Sequence, residues 1–352
     1  MNNKILLVGG GTMGSVSPLL AVYQEIKKVN ANASFLFVGT KNGPEKKVVE
    51  SYKIPFLAIN SGKFRRYFAW QNFIDPCKVI VGFFQALKII FTFKPEAVMI
   101  AGSFVGVPFA WAAWLLRIPI LIHQQDIEVG LANRLMSWTA KKITVSFDLS
   151  LKHFNSKKAV LTGNAIREEF LFGNKKSSRE LLGIDPDMPM VLITGGGTGA
   201  ANLNQITKEA LPEILKRYQV VHLAGKGKLI DFQADNYYQY EFLTKEMPDA
   251  ITAADLVVTR AGLSTLSELT AVGKPIIIIP MYQTHQEFNA DYYKKNEAAV
   301  VLSEASLTAE MFARVIDDLL SHPEKLEKLS VNIRKMMPTD GAKKIATLLL
   351  EL

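Results

Sequence analysis

A chain of 352 residues, 49% of them hydrophobic, is longer than one ordinary core needs and predicts two domains of roughly 150–180 residues each. Its single cysteine, Cys77, excludes an internal disulfide, and its start runs into a strand pattern at Lys4 with no secretory signal, so a reducing, cytosolic setting is expected. The net charge of +8 is unevenly held: residues 1–164 carry 20 Lys/Arg against 8 Asp/Glu, and residues 165–352 carry 21 against 25; the basic half suits an anionic membrane surface or a phosphate-bearing substrate, and no nucleic-acid-binding pattern accompanies it.

In chain order, residues 4–8 read as a buried strand, followed by Gly9-Gly10-Gly11-Thr12-Met13-Gly14-Ser15 and a helix from Val16 or Ser17 to Val29. Pro18 falls in the first turn, where proline is tolerated. Short apolar runs at 34–38, 97–101, 119–123, 143–147 and 159–162 then alternate with helical segments. That alternation predicts an α/β fold with a parallel sheet covered on both faces. After Gly163 the pattern restarts, with runs at 190–194, 219–223, 256–259, 275–279 and 299–302. The restart is nearly a repeat: ILLVGGGTMGS from residue 5 and VLITGGGTGAA from residue 191 are both strand, three glycines, threonine and helix, 186 residues apart. Two Rossmann-like, parallel-sheet domains facing a cleft are the economical reading. Neither loop has the fixed G-x-G-x-x-G spacing with a following acid, and neither carries the Lys-Ser/Thr of a P-loop.

Between these runs, residues 62–94 behave differently. Residues 77–93 are apolar except mainly for Lys78, Gln85, Lys88 and Thr92, which share one helical face. A helix of that length spans about 25 Å, and its lysines argue against a bilayer crossing. Two readings stand: a crossover helix buried on the sheet, or an interfacial patch. In the second, Phe83, Phe84, Ile89, Ile90 and Phe91 enter lipid while Lys63, Arg65, Arg66, Lys78 and Lys88 meet anionic headgroups.

Residues 254–290 hold the richest pattern. A strand at 256–259 leads into Arg260-Ala261-Gly262-Leu263-Ser264-Thr265, a helix carrying Glu268, a second buried strand, and a polar loop with His285, Gln286 and Asn289. Unpaired amides at a helix N-terminus favour a phosphate, and a carboxylate one turn on can accept from ribose hydroxyls, so together they suggest a nucleotide. The alternative is a capping box, with Ser264 or Thr265 as N-cap and Glu268 closing the turn. Asp185-Pro186-Asp187 has the D-x-D form of a metal site but follows Gly183 before a strand, where a turn explains it. The five histidines and Cys77 show no metal-ligand spacing, so no metal or other cofactor is expected.

Six blocks in order, at 9–18, 101–108, 123–134, 163–167, 195–204 and 260–268 with 285–289, resemble the MurG family of N-acetylglucosaminyltransferases over essentially the whole chain. The resemblance implies a GT-B fold. Residues 1–163 would take the lipid acceptor and residues 164–340 the UDP-GlcNAc, with a last helix in 341–352 returning to the first domain. It implies an inverting, metal-independent transfer of GlcNAc to a polyprenyl-diphosphate-linked muramoyl-peptide, lipid I to lipid II, by a peripheral protein on the cytoplasmic face of the membrane. By the same resemblance the uracil lies near Leu243, the diphosphate on Leu263, Ser264 and Thr265, the ribose on Glu268, and the sugar on Gln286 with Asn289. Arg167, Gly197 and Thr198 border the nucleotide, and Thr12, Met13 and Gly14 face the acceptor diphosphate and donor sugar.

Three blocks depart from the family pattern: the serine expected in the second glycine loop is replaced by Gly197, and the other two touch the chemistry. GGTGGH ends here in Ser15, which cannot act as a base at neutral pH, and HEQN reads His123-Gln124-Gln125-Asp126. Asp126 therefore stands either as a replacement general base or as a hydrogen-bonding partner of the sugar, as the amide would be. His123, after a buried run, reads as structural. A transferase for another UDP-sugar or lipid acceptor, and a catalytically silent nucleotide-sugar binder, are the alternatives.

Overall fold

The computed structural model describes residues 3–352 apart from 42, 44, 60–70 and 197–198, and of residues 71–78 the backbone course. The chain forms two compact units, Met1–Arg167 with Pro338–Leu352, and Glu168–Met337. The first runs β1 (Lys4–Val8), α1 (Ser17–Val29), β2 (Ser34–Thr40), α2 (Glu45–Ser51), β3 (Phe56–Ile59), α3 (Gln71–Phe93), β4 (Ala97–Ile100), α4 (Gly106–Leu115), β5 (Ile120–Gln124), α5 (Leu131–Met136), β6 (Lys142–Val145) and β7 (Ala159–Leu161). These strands form one sheet in the order β3-β2-β1-β4-β5-β6-β7, every neighbouring pair parallel.

Alternation along β1 shows why the sequence carries apolar runs rather than an apolar-polar pattern. Ile5 and Leu7 join one core with Leu19, Leu20 and Ile26 of α1, while Leu6 and Val8 join another with Ala86 and Ile90 of α3 and Phe109 of α4. Both faces of the strand are buried, so every position must be apolar.

The second unit runs α6 (Lys175–Leu182), β8 (Met190–Thr194), α7 (Ala201–Ile214), β9 (Gln219–Leu223), β10 (Tyr237–Tyr240), α8 (Met247–Ala253), β11 (Leu256–Thr259), α9 (Leu263–Val272), β12 (Ile276–Ile278), α10 (Gln286–Lys295), β13 (Val300–Val301), α11 (Ala309–Leu320) and α12 (Pro323–Arg334). Its sheet has the order β10-β9-β8-β11-β12-β13, again parallel throughout. The last helix, α13 (Gly341–Leu350), belongs to the first unit, where Ala342, Ile345, Ala346 and Leu349 are buried with the α1 side chains. Each fully buried large aliphatic there contributes about 1.5–3 kcal/mol.

Two strands fall outside the apolar runs of the sequence, β3 and β10. Both are sheet edges: β10 is half-exposed along its length and β3 mixes exposed Leu57 and Ala58 with buried Ile59, so neither is a continuous buried run. In each sheet the order reverses beside the first strand, at β1/β4 and at β8/β11. Ligands of open parallel sheets sit past the carboxyl ends of strands at such switch points. The turns that matter are therefore those leaving β1, β4, β8 and β11.

Candidate active site

The glycine turn after β1 is closed by its own side chains and neighbours. Ser15 is 7% exposed, and its Oγ accepts from the Gly10 amide at 2.9 Å while facing the carbonyls of Gly10 (3.1 Å) and Thr12 (3.2 Å). Glu45, fully buried at the start of α2, accepts from the Gly11 amide at 3.2 Å and from the Thr40 amide at 2.6 Å. Ser103, held at a left-handed φ of 71° in the turn after β4, donates to the Gly10 carbonyl at 2.9 Å. Gln125 donates to the Gly14 carbonyl at 2.6 Å. The strand order explains Ser103 and Glu45, since β4 and β2 flank β1 and the segments after them meet its turn, while Gln125 reaches in from the end of β5. Thr12 is exposed at the tip and Met13 packs partly on the core.

The end of β5 is equally constrained. His123 is fully buried, with Nδ1 2.9 Å from Thr144 Oγ1 and Nε2 2.8 Å from Asn164 Oδ1. Burial pushes its imidazole down to about 4 against the opposing effect of those hydrogen bonds, so it is neutral at pH 7. Gln124 Nε2 donates to the carbonyls of Asp126 (2.6 Å) and Glu128 (3.1 Å), and Asn133 donates to Gln124 Oε1 at 2.6 Å. Ser150 donates to the Asp126 carbonyl at 3.3 Å. The backbone of Asp126 is thus fixed from two sides, and its side chain is half-buried.

In the second unit the turn after β11 is built the opposite way. The residue before α9 is Gly262, extended at φ −79°, ψ 121°, which has no side chain to cap the helix. A Cβ placed on Gly262 would meet nothing within 4 Å. Ser264 and Thr265 lie inside the first turn, which sets aside the capping-box alternative and leaves their amides directed past the helix end. Arg260 does not contribute its charge to this opening. Its Nη1 donates to the carbonyls of Ile279 (3.0 Å) and Pro280 (3.4 Å), and its Nη2 pairs with Glu304. Glu268, 6% exposed, lies on α9 one turn beyond Ser264 and Thr265. Asn289 of α10 donates to the Ala261 carbonyl at 3.0 Å, and Thr270 of α9 meets Tyr293 Oη of α10 at 2.8 Å, so α10 is fastened to the turn. Gln286, the first residue of α10, accepts from the Met281 amide at 3.1 Å.

Two family models match the chain: the glycosyltransferase family 28 N-terminal domain over residues 5–145 and the family 28 C-terminal domain over residues 190–345. A UDP-N-acetylglucosamine–N-acetylmuramyl-(pentapeptide) pyrophosphoryl-undecaprenol N-acetylglucosamine transferase of Clostridium kluyveri is 38% identical over 98% of both chains. The transferase of the same description from Lachnospira eligens is 36% identical, again over 98% of both. The chain belongs to the MurG family of family 28 glycosyltransferases. The crystal structure of Acinetobacter baumannii MurG has the same two-unit parallel-sheet fold, with a TM-score of 0.72 at 23% identity over the full length of both chains.

In this MurG-family chain, the first unit brings Thr12, Met13, Gly14 and Ser15 together with the 123–126 segment through the Gln125 bond. The second brings Leu263, Ser264, Thr265, Glu268, Gln286 and Asn289 onto α9, α10 and their entry turns. Leu243 lies in the loop after β10 with its side chain buried, and Arg167 is buried at the end of the first unit's main segment. Gly197 and Thr198 lie outside the described residues, as do Arg65 and Arg66. Asp185 closes a local turn, accepting from the amides of Asp187 (2.8 Å) and Met188 (3.3 Å).

Several contributors carry no signal in sequence. Glu45 and Ser103 act from distant segments on the first loop. In the second unit His222 is buried between Tyr237 Oη (2.9 Å) and Asn204 Oδ1 (3.1 Å), its imidazole pushed down to about 4 by burial. Asn204 in turn donates to the carbonyls of Ala224 (2.9 Å) and Lys228 (3.2 Å), fixing the turn after β9.

Helix α3 has two faces. Ala86 and Ile90 are buried, with Phe83 and Ile89 packed partly on the same core, whereas Ile80, Val81, Phe84, Lys88 and Phe91 are exposed. Ile90 is thus a core residue and not a lipid-facing one, because it lies on the stripe turned to the sheet. Trp114 and Trp138 pack edge to face at 4.9 Å between centroids and are both more than half exposed, with Lys158 donating to the Trp138 carbonyl. Among the described residues no helix is long and apolar enough to cross a membrane.

Proposed function

We propose that the chain transfers GlcNAc from UDP-GlcNAc to the C4 hydroxyl of a polyprenyl-diphosphate-linked muramoyl-peptide, converting lipid I to lipid II. The observation that carries this reading is 36–38% identity to transferases of that description over 98% of the chain. The uncapped start of α9 supports it independently. There the amides of Leu263, Ser264 and Thr265 take the diphosphate, Glu268 takes the ribose hydroxyls, and Gln286 with Asn289 meets the sugar. Leu243 borders the uracil.

In the step itself the acceptor O4 forms a bond to C1 of the sugar on the face opposite the departing UDP, and the C1–O bond to UDP breaks. The configuration inverts to a β-1,4 linkage. The O4 proton passes to a base, and negative charge grows on the UDP oxygen, where helix-terminal amides stabilise it. Three candidates for the base can be compared. His123 is buried, neutral and bonded at both ring nitrogens. Ser15 is an alcohol whose oxygen is engaged within its own loop. Asp126 is half-exposed on a fixed backbone at the carboxyl end of β5 and is the carboxylate among the three, which makes it the group of choice.

The exposed Phe84, Phe91 and Lys88 of α3, and the Trp114/Trp138 pair with Lys158, are the apolar and basic groups of the first unit that would meet an anionic bilayer, which supports reading the chain as a peripheral protein on its cytoplasmic face. Sedimentation with anionic vesicles that weakens in Phe84→Ser is the expected result; equal sedimentation with neutral vesicles would count against it.

The deciding experiment is transfer of radiolabel from UDP-GlcNAc to a lipid I analogue with EDTA present. Wild type should form product, and Asp126→Asn should lose about 10²–10⁴-fold in turnover with the donor KM retained. Near-normal turnover of Asp126→Asn would remove the base assignment. A wild type that binds UDP-GlcNAc but transfers to no lipid acceptor would favour a silent binder.

A further inference from the structure

We propose that Glu304 is a positioning residue for the donor sugar: it fixes the backbone of the loop that presents Gln286 and keeps the Arg260 guanidinium folded inside the protein. The inference rests on the reading of the second unit as the donor half.

Glu304 opens a short 3-10 turn, Glu304–Ser306, just after the edge strand β13, remote in sequence from the nucleotide turn. Its side chain is 11% exposed and that of Arg260 is 6% exposed, and the two form an ion pair. The second carboxylate oxygen accepts from the Tyr282 amide at 3.3 Å. Asn202, at the start of α7, adds a further favourable influence on this carboxylate. One side chain therefore ties together the turn after β11 and the loop after β12. Those are elements at the carboxyl ends of β11 and β12, where a ligand of this sheet would lie.

The loop after β12 shows what is being held. Gln286 Oε1 accepts from the Met281 amide at 3.1 Å, and Thr284 Oγ1 donates to the Met281 carbonyl at 2.8 Å. The loop closes on itself around Met281, and Tyr282, the next residue, is where Glu304 attaches it to the body of the unit. With its Oε1 engaged in this way, Gln286 keeps its amide nitrogen for a sugar hydroxyl. Arg260 completes the arrangement from the other side through its bonds to the carbonyls of Ile279 and Pro280, at the entry of the same loop. Burial works to raise the Glu304 carboxyl, but the hydrogen bond and charge of Arg260, with Tyr282 and Asn202, hold it below the ordinary carboxylate range, so it stays anionic at neutral pH.

A residue that orders the sugar-facing loop should affect binding of UDP-GlcNAc and spare binding of UDP, which lacks the sugar. The test is the donor KM, the turnover, and inhibition by UDP alone for wild type, Glu304→Ala and Glu304→Gln. Glu304→Ala should raise the UDP-GlcNAc KM roughly tenfold, the size of one lost hydrogen bond to a charged group, while the UDP inhibition constant moves less than about threefold. Glu304→Gln keeps an acceptor for the Tyr282 amide without the charge and should fall between. If Glu304→Ala does not fold, the ratio of the two constants in Glu304→Gln carries the same information. Adding Gln286→Ala to Glu304→Ala should cost less than it does in wild type, since the loop is already released. Equal losses for UDP and UDP-GlcNAc, or an unchanged KM, would overturn the proposal. A wild type that does not bind UDP-GlcNAc would instead overturn the donor reading beneath it.

Discussion

The turn after β1 and the turn after β11 begin alike, each leaving a buried parallel strand at a switch point and entering a helix through glycine. They differ in what happens to their polar atoms. In the first, the Gly10 and Gly11 amides and the Gly10 and Gly14 carbonyls are bonded to Ser15, Glu45, Ser103 and Gln125. In the second, the N-cap of α9 is a glycine with no side chain to cap it, the space beside Gly262 is open, and the neighbouring guanidinium is committed elsewhere. The first is thus a braced support with an exposed tip, and the second fits the proposed role of its amides in holding an anion. Glycine content does not distinguish them; the placement of nearby carboxylates and hydroxyls does.

The strongest way to break this contrast is to attack the support. Glu45→Ala would leave the Gly11 and Thr40 amides without their acceptor in a buried setting and open a cavity. A loss of about 3 kcal/mol or more in denaturant-measured stability is expected. If stability changed by less than about 1 kcal/mol, the first turn would not depend on this carboxylate.

A smaller effect sharpens the comparison by pH. Each unit buries one neutral histidine, His123 in the first and His222 in the second, both pushed down to about 4 by burial. A histidine whose folded pKa lies below its unfolded value leaves stability unaffected above about 6.5 and lowers it as pH falls from there towards 4, because only the unfolded chain takes up the proton. Each should contribute about 1.4 kcal/mol of loss per pH unit inside that window. Urea unfolding at pH 7, 6 and 5 checks the slope, and His123→Gln should remove one share of it. A slope unaffected by that substitution would show that His123 is not held neutral.

The sequence revealed the layers of both sheets because strands buried on both faces must be continuously apolar, as in β1 and β8. Edge strands such as β10, half-exposed along its length, carry no such mark. The site was legible where function depends on local backbone: Gly262 and the three residues after it are contiguous. Even there the pattern of Thr265 and Glu268 matched a capping box, and only the helix start at Leu263, three residues earlier than that reading requires, decided against it. The support of the first loop was not legible, since Glu45, Ser103 and Gln125 reach their partners from 34, 93 and 111 residues away. Such contacts follow from strand order, which a single sequence does not display.

The contrast between the two turns is tested most directly by titrating UDP into wild type, Ser264→Pro and Ser15→Ala. Proline removes one of the α9 amides at the second helical position, a place where this chain already carries Pro18 in α1 and Pro248 in α8. The account predicts that Ser264→Pro weakens UDP binding by roughly tenfold or more, whereas Ser15→Ala leaves UDP affinity unchanged and shows its cost, about 1–2 kcal/mol, in stability alone. Full UDP affinity in a folded Ser264→Pro, or its loss in Ser15→Ala, would contradict it.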